Sequence, residues 1–138
     1  MPRVKVTTEL EFSAAHRLFN PEWTEERNQE VFGGCANPNW HGHNYELQVT
    51  VEGQVNPETG FVIDFRDLKS LVDSRVIEDL DHRNLDLDVP WLIGIISSSE
   101  NLVVAIWARL VDGLPEGVEL SKLILWETPR SFVEYTGE

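Results

Sequence analysis

Two histidines one residue apart, His41 and His43, stand in the stretch running from Cys35 to Tyr45, which also holds the only cysteine of the chain. Side chains two apart on a strand point to the same face, so these imidazoles project together if a strand starts here. From Gly42 the pattern is that of a strand, with Tyr45, Leu47, Val49 and Val51 alternating against Asn44, Glu46, Gln48 and Thr50. A third histidine, His16, keeps the parity of Val4, Val6, Leu10 and Phe12 in an earlier alternating segment. If the two strands pair antiparallel, all three imidazoles meet at one end of the sheet. Neutral imidazole is the usual nitrogen ligand of zinc, and a three-histidine set with an open fourth position is a catalytic pattern. A bare His-x-His is also what ordinary hydrogen-bonded histidines look like, and spacing alone does not choose between the two.

Other residues admit two readings as well. Cys35 is either a small buried hydrophobe or, in its polar Gly/Asn/Pro loop beside a metal, an exposed thiol whose ionised form is favoured. Asp81-His82 is either a solvated helix-terminal turn or a histidine tuned by a carboxylate for acid–base work. Glu127 ends an apolar strand, as a plain strand-end charge or as an acceptor for a ligand.

The elements that must position these residues follow from periodicity. Residues 3–12 alternate as a half-buried strand, and 42–53 form the second. Between them, 20–34 is a polar excursion with one short helix around 25–30; long excursions in compact domains often carry function. Asp64 caps a helix predicted over 65–78, with Leu68, Leu71, Val72 and Val76 on its apolar face. Residues 80–86 read as polar and irregular. Ser97-Ser98-Ser99-Glu100 precedes a helix over 100–112 with the stripe Leu102, Val103, Ile106 and Leu110. Strands over 118–127 and 131–136, joined around Pro129, close the chain. The expected fold is one α+β domain over 1–138, a four-stranded antiparallel sheet with two helices on one face in ββααββ order.

Composition narrows the function. The 138 residues carry 11 Lys and Arg against 24 Asp and Glu, a formal charge of −13 that argues against a nucleic-acid or anionic-membrane surface. An anionic substrate must then be held by a few placed cations or a metal. A single cysteine cannot close an internal disulfide, no run of about 18 apolar residues occurs, and no apolar signal segment precedes the first strand. Cytoplasmic residence is the default expectation.

Six segments resemble one family nearly end to end and in order. They are Phe12–Leu18, Cys35–Tyr45, Leu80–Asp86, Ser99-Glu100-Asn101, Trp126-Glu127-Thr128 and Tyr135–Glu138, and together they look like the 6-pyruvoyl tetrahydropterin synthase family. The resemblance implies the tunnelling fold, in which sheets of several subunits join into a barrel and two trimers stack into a homohexamer with active sites between subunits. It implies that His16, His41 and His43 bind Zn2+, that Cys35 is the general base, and that Asp81 and His82, from a neighbouring subunit, complete its relay. Glu127 matches the carboxylate that anchors the pterin ring, and Ser98, Ser99 and Glu100 match a Thr-Thr-Glu segment lining the pterin pocket. Arg17 and Arg83, cations inside these motifs, are our inference for the triphosphate.

The implied substrate is 7,8-dihydroneopterin triphosphate, converted to 6-pyruvoyl tetrahydropterin with loss of triphosphate. A thiol at its usual pKa of ~8.5 is only a few per cent ionised at neutral pH, so Cys35 would need help from its surroundings. The rival within the family is the 6-carboxytetrahydropterin synthase branch of queuosine biosynthesis, which releases acetaldehyde. There the cysteine stands closer to His-Gly-His; here five residues intervene between Cys35 and His41, as in the pyruvoyl branch. Leu85–Pro90 leans the same way, while Ile63-Asp64-Phe65 looks like the carboxy branch and Trp40 departs from the usual glycine. A non-catalytic zinc- or pterin-binding protein would not need Cys35, Asp81 and His82. Zinc-dependent hydrolysis leaves Glu127 and the serines unexplained.

Overall fold

A computed structural model describes residues 2–138. Strand β1 is Arg3–His16, followed by helix α1 at Glu25–Phe32, a 3-10 turn at Gly33–Ala36 and strand β2 at His41–Gln54. Helix α2 is Phe65–Val72, a π-helical turn spans Asp73–Ile77, and α3 is the short Glu78–Leu80. Strand β3 is Arg83–Asn84, helix α4 is Ser99–Leu110, and strands β4 (Val118–Thr128) and β5 (Ser131–Tyr135) complete the fold.

The α+β class holds, but the sheet is five-stranded and mixed, in the order β3-β1-β2-β4-β5, where four antiparallel strands were expected. The extra strand comes from residues 80–86, expected to be irregular. Arg83 and Asn84 lie parallel to β1 opposite Ala14 and Ala15. The outer edge of β1 has backbone groups to satisfy, and His82 and Leu85 supply N–H donors to the Ser13 and Ala15 carbonyls at 2.6 and 2.8 Å. A two-residue strand is too short to leave any periodicity in sequence.

The helix expected over 65–78 is also corrected: it widens into a π-turn after Val72. There the Arg75 carbonyl accepts from Arg109 Nε of α4 at 3.1 Å, while Arg75 Nη1 donates to the Arg109 carbonyl at 3.3 Å. Asp64 caps α2 as expected, accepting from the Arg66 N–H at 2.8 Å. An eight-residue helix is marginal alone, so α2 is held by its buried Leu68 and Val72. Each such side chain contributes about 1.5–3 kcal/mol when fully buried.

The core lies between one sheet face and α2, the π-turn and α4, and it is built from the even positions of β1 and the odd positions of β2. Phe12 opposes Tyr45, Ala14 opposes His43 and His16 opposes His41 in the β1–β2 register. The buried rows of the core therefore run straight up into the three histidines. At the other end of the chain Gly137, at φ 91°, lies so close to Trp107 that a Cβ there would meet the indole.

Candidate metal centre and active site

β1 continues four residues beyond its expected end at 12, and this carries His16 into the sheet. Its ring is fully buried, and those of His41 and His43 partly so. One nitrogen from each of the three lies within 4.8 Å of the others. His16 Nδ1 donates to the Ser97 carbonyl at 2.7 Å, which leaves Nε2 with the lone pair. That Nε2, both ring nitrogens of His41 and Nε2 of His43 are buried without a hydrogen-bond partner among the described residues.

Buried polar atoms are nearly always paired, so orphaned nitrogens on three rings, with one nitrogen of each ring gathered within 4.8 Å of the others, call for a ligand between them. Burial pushes the pKa of His41 below its ordinary value, and the neighbouring His16 and His43 add to this. Burial likewise lowers His43, against the opposing pull of Glu127. Neutral imidazoles with free lone pairs are the donors a divalent metal needs, so the residues fit such an ion.

Glu127, at the end of β4, stands beside this cluster. Its Oε1 is 3.5 Å from His43 Nε2, and its Oε2 accepts the Ser99 hydroxyl at 2.5 Å. The neighbouring Ser98 instead caps α4, its hydroxyl accepting the Asn101 N–H at 3.2 Å. Glu100 is exposed in the first turn of the helix.

Asp81 and His82 lead into β3 on the edge of β1 away from β2. Asp81 Oδ1 accepts the Ser13 N–H at 2.9 Å, and its other oxygen is 3.0 Å from His82 Nδ1. The Ser13 N–H, with a smaller contribution from His82, holds the Asp81 carboxyl below its usual range. His82 is exposed and takes a left-handed backbone at φ 60°. Such conformations in non-glycine residues concentrate at functional sites. It shares a groove with Ala15, Gly42, His43 and Arg83.

Cys35 lies in the 3-10 turn between α1 and β2. Its 3-10 turn is docked on the chain beyond β1 through the Leu18 N–H to the Cys35 carbonyl at 2.8 Å and Arg17 Nε to the Ala36 carbonyl, also at 2.8 Å. Buried Asn28 secures α1 by accepting the Asn20 N–H at 2.8 Å and donating to the Asn20 and Thr24 carbonyls. Cys35 is partly exposed, and no hydrogen bond among the described residues joins it to Asp81 or His82.

The two arginines differ. The Arg17 guanidinium is turned inward, with its side chain 11% exposed, spent on Ala36, on Glu25 at 2.9 Å and on the Phe19 ring 4.3 Å away. Arg83 is exposed in the His82 groove. Sequence reasoning singled out Trp40 as a departure from glycine but missed its link to Asp86, and it missed the part of Asp86 and Ser97 altogether. The Trp40 indole donates to Asp86 at 2.9 Å, and the Ser97 hydroxyl to the same carboxylate at 2.6 Å. Trp40 has φ 62°, the left-handed region that favours glycine, at a cost of roughly 1–2 kcal/mol. A hydrogen bond to a charged group contributes about 1.5–3 kcal/mol, enough to offset it. The sequence marks Trp40 only as a bulky residue where glycine is usual; the Asp86 links run through space and leave no local signal.

A family model described as 6-pyruvoyl tetrahydropterin synthase matches residues 5–138. The chain belongs to the 6-pyruvoyl tetrahydropterin synthase family. A Homo sapiens relative named 6-pyruvoyl tetrahydrobiopterin synthase is 43% identical over 136 residues, covering 99% of this chain and 93% of that protein. The solved structure of the Caenorhabditis elegans 6-pyruvoyl tetrahydropterin synthase superposes with a TM-score of 0.92 at 38% identity, covering 100% of this chain and 98% of that one. A Haemophilus influenzae relative named 6-carboxy-5,6,7,8-tetrahydropterin synthase is 30% identical over 151 residues, covering 95% of this chain and 97% of that protein. Membership of the 6-pyruvoyl tetrahydropterin synthase family thus extends over nearly the whole chain, and the histidine cluster, Cys35, Asp81-His82 and Glu127 all lie within the matched residues.

Proposed function

We propose that the chain converts 7,8-dihydroneopterin triphosphate to 6-pyruvoyl-5,6,7,8-tetrahydropterin with elimination of triphosphate. The observation that carries this reading is the pairing of the orphaned histidine nitrogens with a carboxylate 3.5 Å from one of them, itself gripped by Ser99. A divalent metal needs the first and a pterin ring the second. The higher identity to the pyruvoyl relative than to the carboxy relative, 43% against 30%, favours the pyruvoyl product.

His16, His41 and His43 would hold the ion, which we take to be zinc from the all-imidazole donor set. When bound, zinc supplies Lewis-acid polarisation of substrate oxygens. Glu127 accepts from the 2-amino and N3 positions of the pterin through its two oxygens, and the Ser99 hydroxyl fixes its rotamer. Ser98 and Glu100 open α4 at the rim of that pocket. Cys35 removes the proton from the substrate side chain, and His82, oriented by Asp81, relays it. Arg83, exposed beside His82, is the cation left to meet the triphosphate; Arg17 is committed within the fold.

Since Cys35 and the Asp81-His82 pair are not joined within one chain, we assign the relay to a neighbouring subunit. We read the protein as a cytoplasmic homohexamer, a dimer of trimers whose sheets close into a barrel. The end strands β3 and β5 leave sheet edges that another copy can extend, and the exposed Phe132 lies on one of them. Among the described residues no helix is long and apolar enough to cross a membrane. The deciding experiment is mass spectrometry of the product after incubating zinc-loaded protein with 7,8-dihydroneopterin triphosphate, with Cys35→Ala as control. Pyruvoyl product and free triphosphate, lost in the variant, are expected. Carboxytetrahydropterin with acetaldehyde would overturn the assignment, as would no turnover by folded protein.

A further inference from the structure

Asp86 touches neither the histidine nitrogens nor the carboxylate of Glu127, yet its carboxylate gathers three donors. Its Oδ2 accepts the Arg17 backbone N–H at 2.8 Å and the Trp40 indole N–H at 2.9 Å, and its Oδ1 accepts the Ser97 hydroxyl at 2.6 Å. Each donor belongs to a segment that carries the histidine cluster. Arg17 follows His16, Trp40 precedes His41, and the carbonyl of Ser97 receives the Nδ1–H of His16 at 2.7 Å. One carboxylate thus ties the exit of β1, the entry of β2 and the approach to α4 to a single point.

We propose that Asp86 is the positioning residue of the metal centre, acting on His16 through Ser97 and on His41 through Trp40; this rests on the metal-binding reading above. A carbonyl can only accept, so the Ser97 carbonyl obliges His16 to carry its proton on Nδ1 and to present the Nε2 lone pair to the cluster. That carbonyl keeps its aim because the hydroxyl of the same residue is held by Asp86, and Ser97 is itself only 2% exposed. On the other side, the bond to the Trp40 indole holds the left-handed residue from which β2 starts. The His41 backbone is thereby fixed opposite His16. Partners of metal-bound histidines set ring orientation and tautomer, and their loss typically weakens metal binding about 10–100-fold.

The test is zinc affinity of the metal-free full-length protein, measured by competition with a chromophoric chelator, together with the 15N spectrum of the His16 imidazole. Asp86→Asn is expected to lower zinc affinity by about 10–100-fold per folded molecule and to populate the second His16 tautomer. Ser97→Ala keeps the Arg17 and Trp40 contacts and is expected to lower affinity in the same direction, so it decides the matter if Asp86→Asn does not fold. A purely structural role would lower melting temperature without moving the tautomer. Folded variants that bind zinc within about twofold of the unaltered protein, with the His16 spectrum unchanged, would overturn the proposal while leaving the metal reading intact. Failure of the unaltered protein to bind zinc would overturn both.

Discussion

The Ser99 hydroxyl donates to Glu127 Oε2 at 2.5 Å, bridging the first turn of α4 and the end of β4. The bond turns the other oxygen of Glu127 toward His43 Nε2, 3.5 Å away. The carboxylate is therefore pre-set before any pterin arrives. Glu127→Gln can still receive the serine proton but loses the charge that, in the proposed function, strengthens bonds to the pterin. Charge-assisted bonds contribute about 1.5–3 kcal/mol, so kcat/KM should fall roughly 10–150-fold at about 1.4 kcal/mol per decade. Ser99→Ala should cost less, mostly in KM. Steady-state kinetics on folded variants check both, and equal kcat/KM in Glu127→Gln would remove the carboxylate from the site.

The depressed pKa values of His41 and His43 give the metal-free protein a signed pH dependence. Both lie below the ordinary 6.5, so below that pH the unfolded chain binds more protons than the folded one. Stability is complete above 6.5 and declines as pH falls through the depressed folded values. Asp81 also has a depressed pKa, from an ordinary 3.8, so its contribution is present above 3.8 and lost only below it. The windows are separate, and the loss beginning just under pH 6.5 belongs to the histidines. Thermal melts of metal-free protein from pH 8 to 5 should show it, and saturating zinc should suppress it because the ion competes with the protons. A flat profile over this range would argue against buried neutral imidazoles.

Asp81→Asn separates a fold role from the proposed relay role. The Asp81 Oδ1 holds the Ser13 N–H, while its charge faces His82. Asp81→Asn keeps an oxygen for Ser13 and loses the charge. The expected outcome is a melting temperature within a few degrees of the unaltered protein, with kcat lowered roughly 10²–10⁴-fold, the range of general acid–base catalysis. A variant with kcat unchanged would dismiss the relay.

What the sequence revealed was whatever repeats along the chain. The parity of residues 4–16 and 41–51 places three imidazoles on one face, and the register His16 opposite His41 follows once the strands pair antiparallel. The Asp64 cap was equally legible, because a cap acts on an N–H two or three residues away, whereas the run Ser97-Ser98-Ser99 announced a helix start without singling out Ser98 as its cap. Strand β3 was not legible, since two residues carry no period and are set by open carbonyls on β1. The π-turn is where Arg75 exchanges hydrogen bonds with Arg109 of another helix. The Trp40–Asp86–Ser97 links join residues up to 46 positions apart. All three are through-space choices, with no local cause to read.

The two motif arginines test this division between pattern and environment. Both were inferred for the triphosphate as cations inside the family motifs of an acidic chain, yet Arg17 is largely enclosed and Arg83 is open. The ion pair of Arg17 with Glu25 contributes little, because Glu25 is 66% exposed and such pairs are screened. Its bond to the Ala36 carbonyl and its position over Phe19 matter more, about 1 kcal/mol for a typical bond and about 0.5–2 kcal/mol for the cation over the ring. Arg17→Ala should therefore destabilise the protein by roughly 1–3 kcal/mol in chemical denaturation and loosen the turn that carries Cys35. Arg83→Ala should leave stability within about 0.5 kcal/mol, as for exposed sites, and raise KM for the triphosphate substrate. Its effect should shrink at high salt, because an exposed cation attracts a polyanion through a screened field. Reversal of the two phenotypes would return Arg17 to the phosphate site and leave Arg83 as an ordinary surface charge.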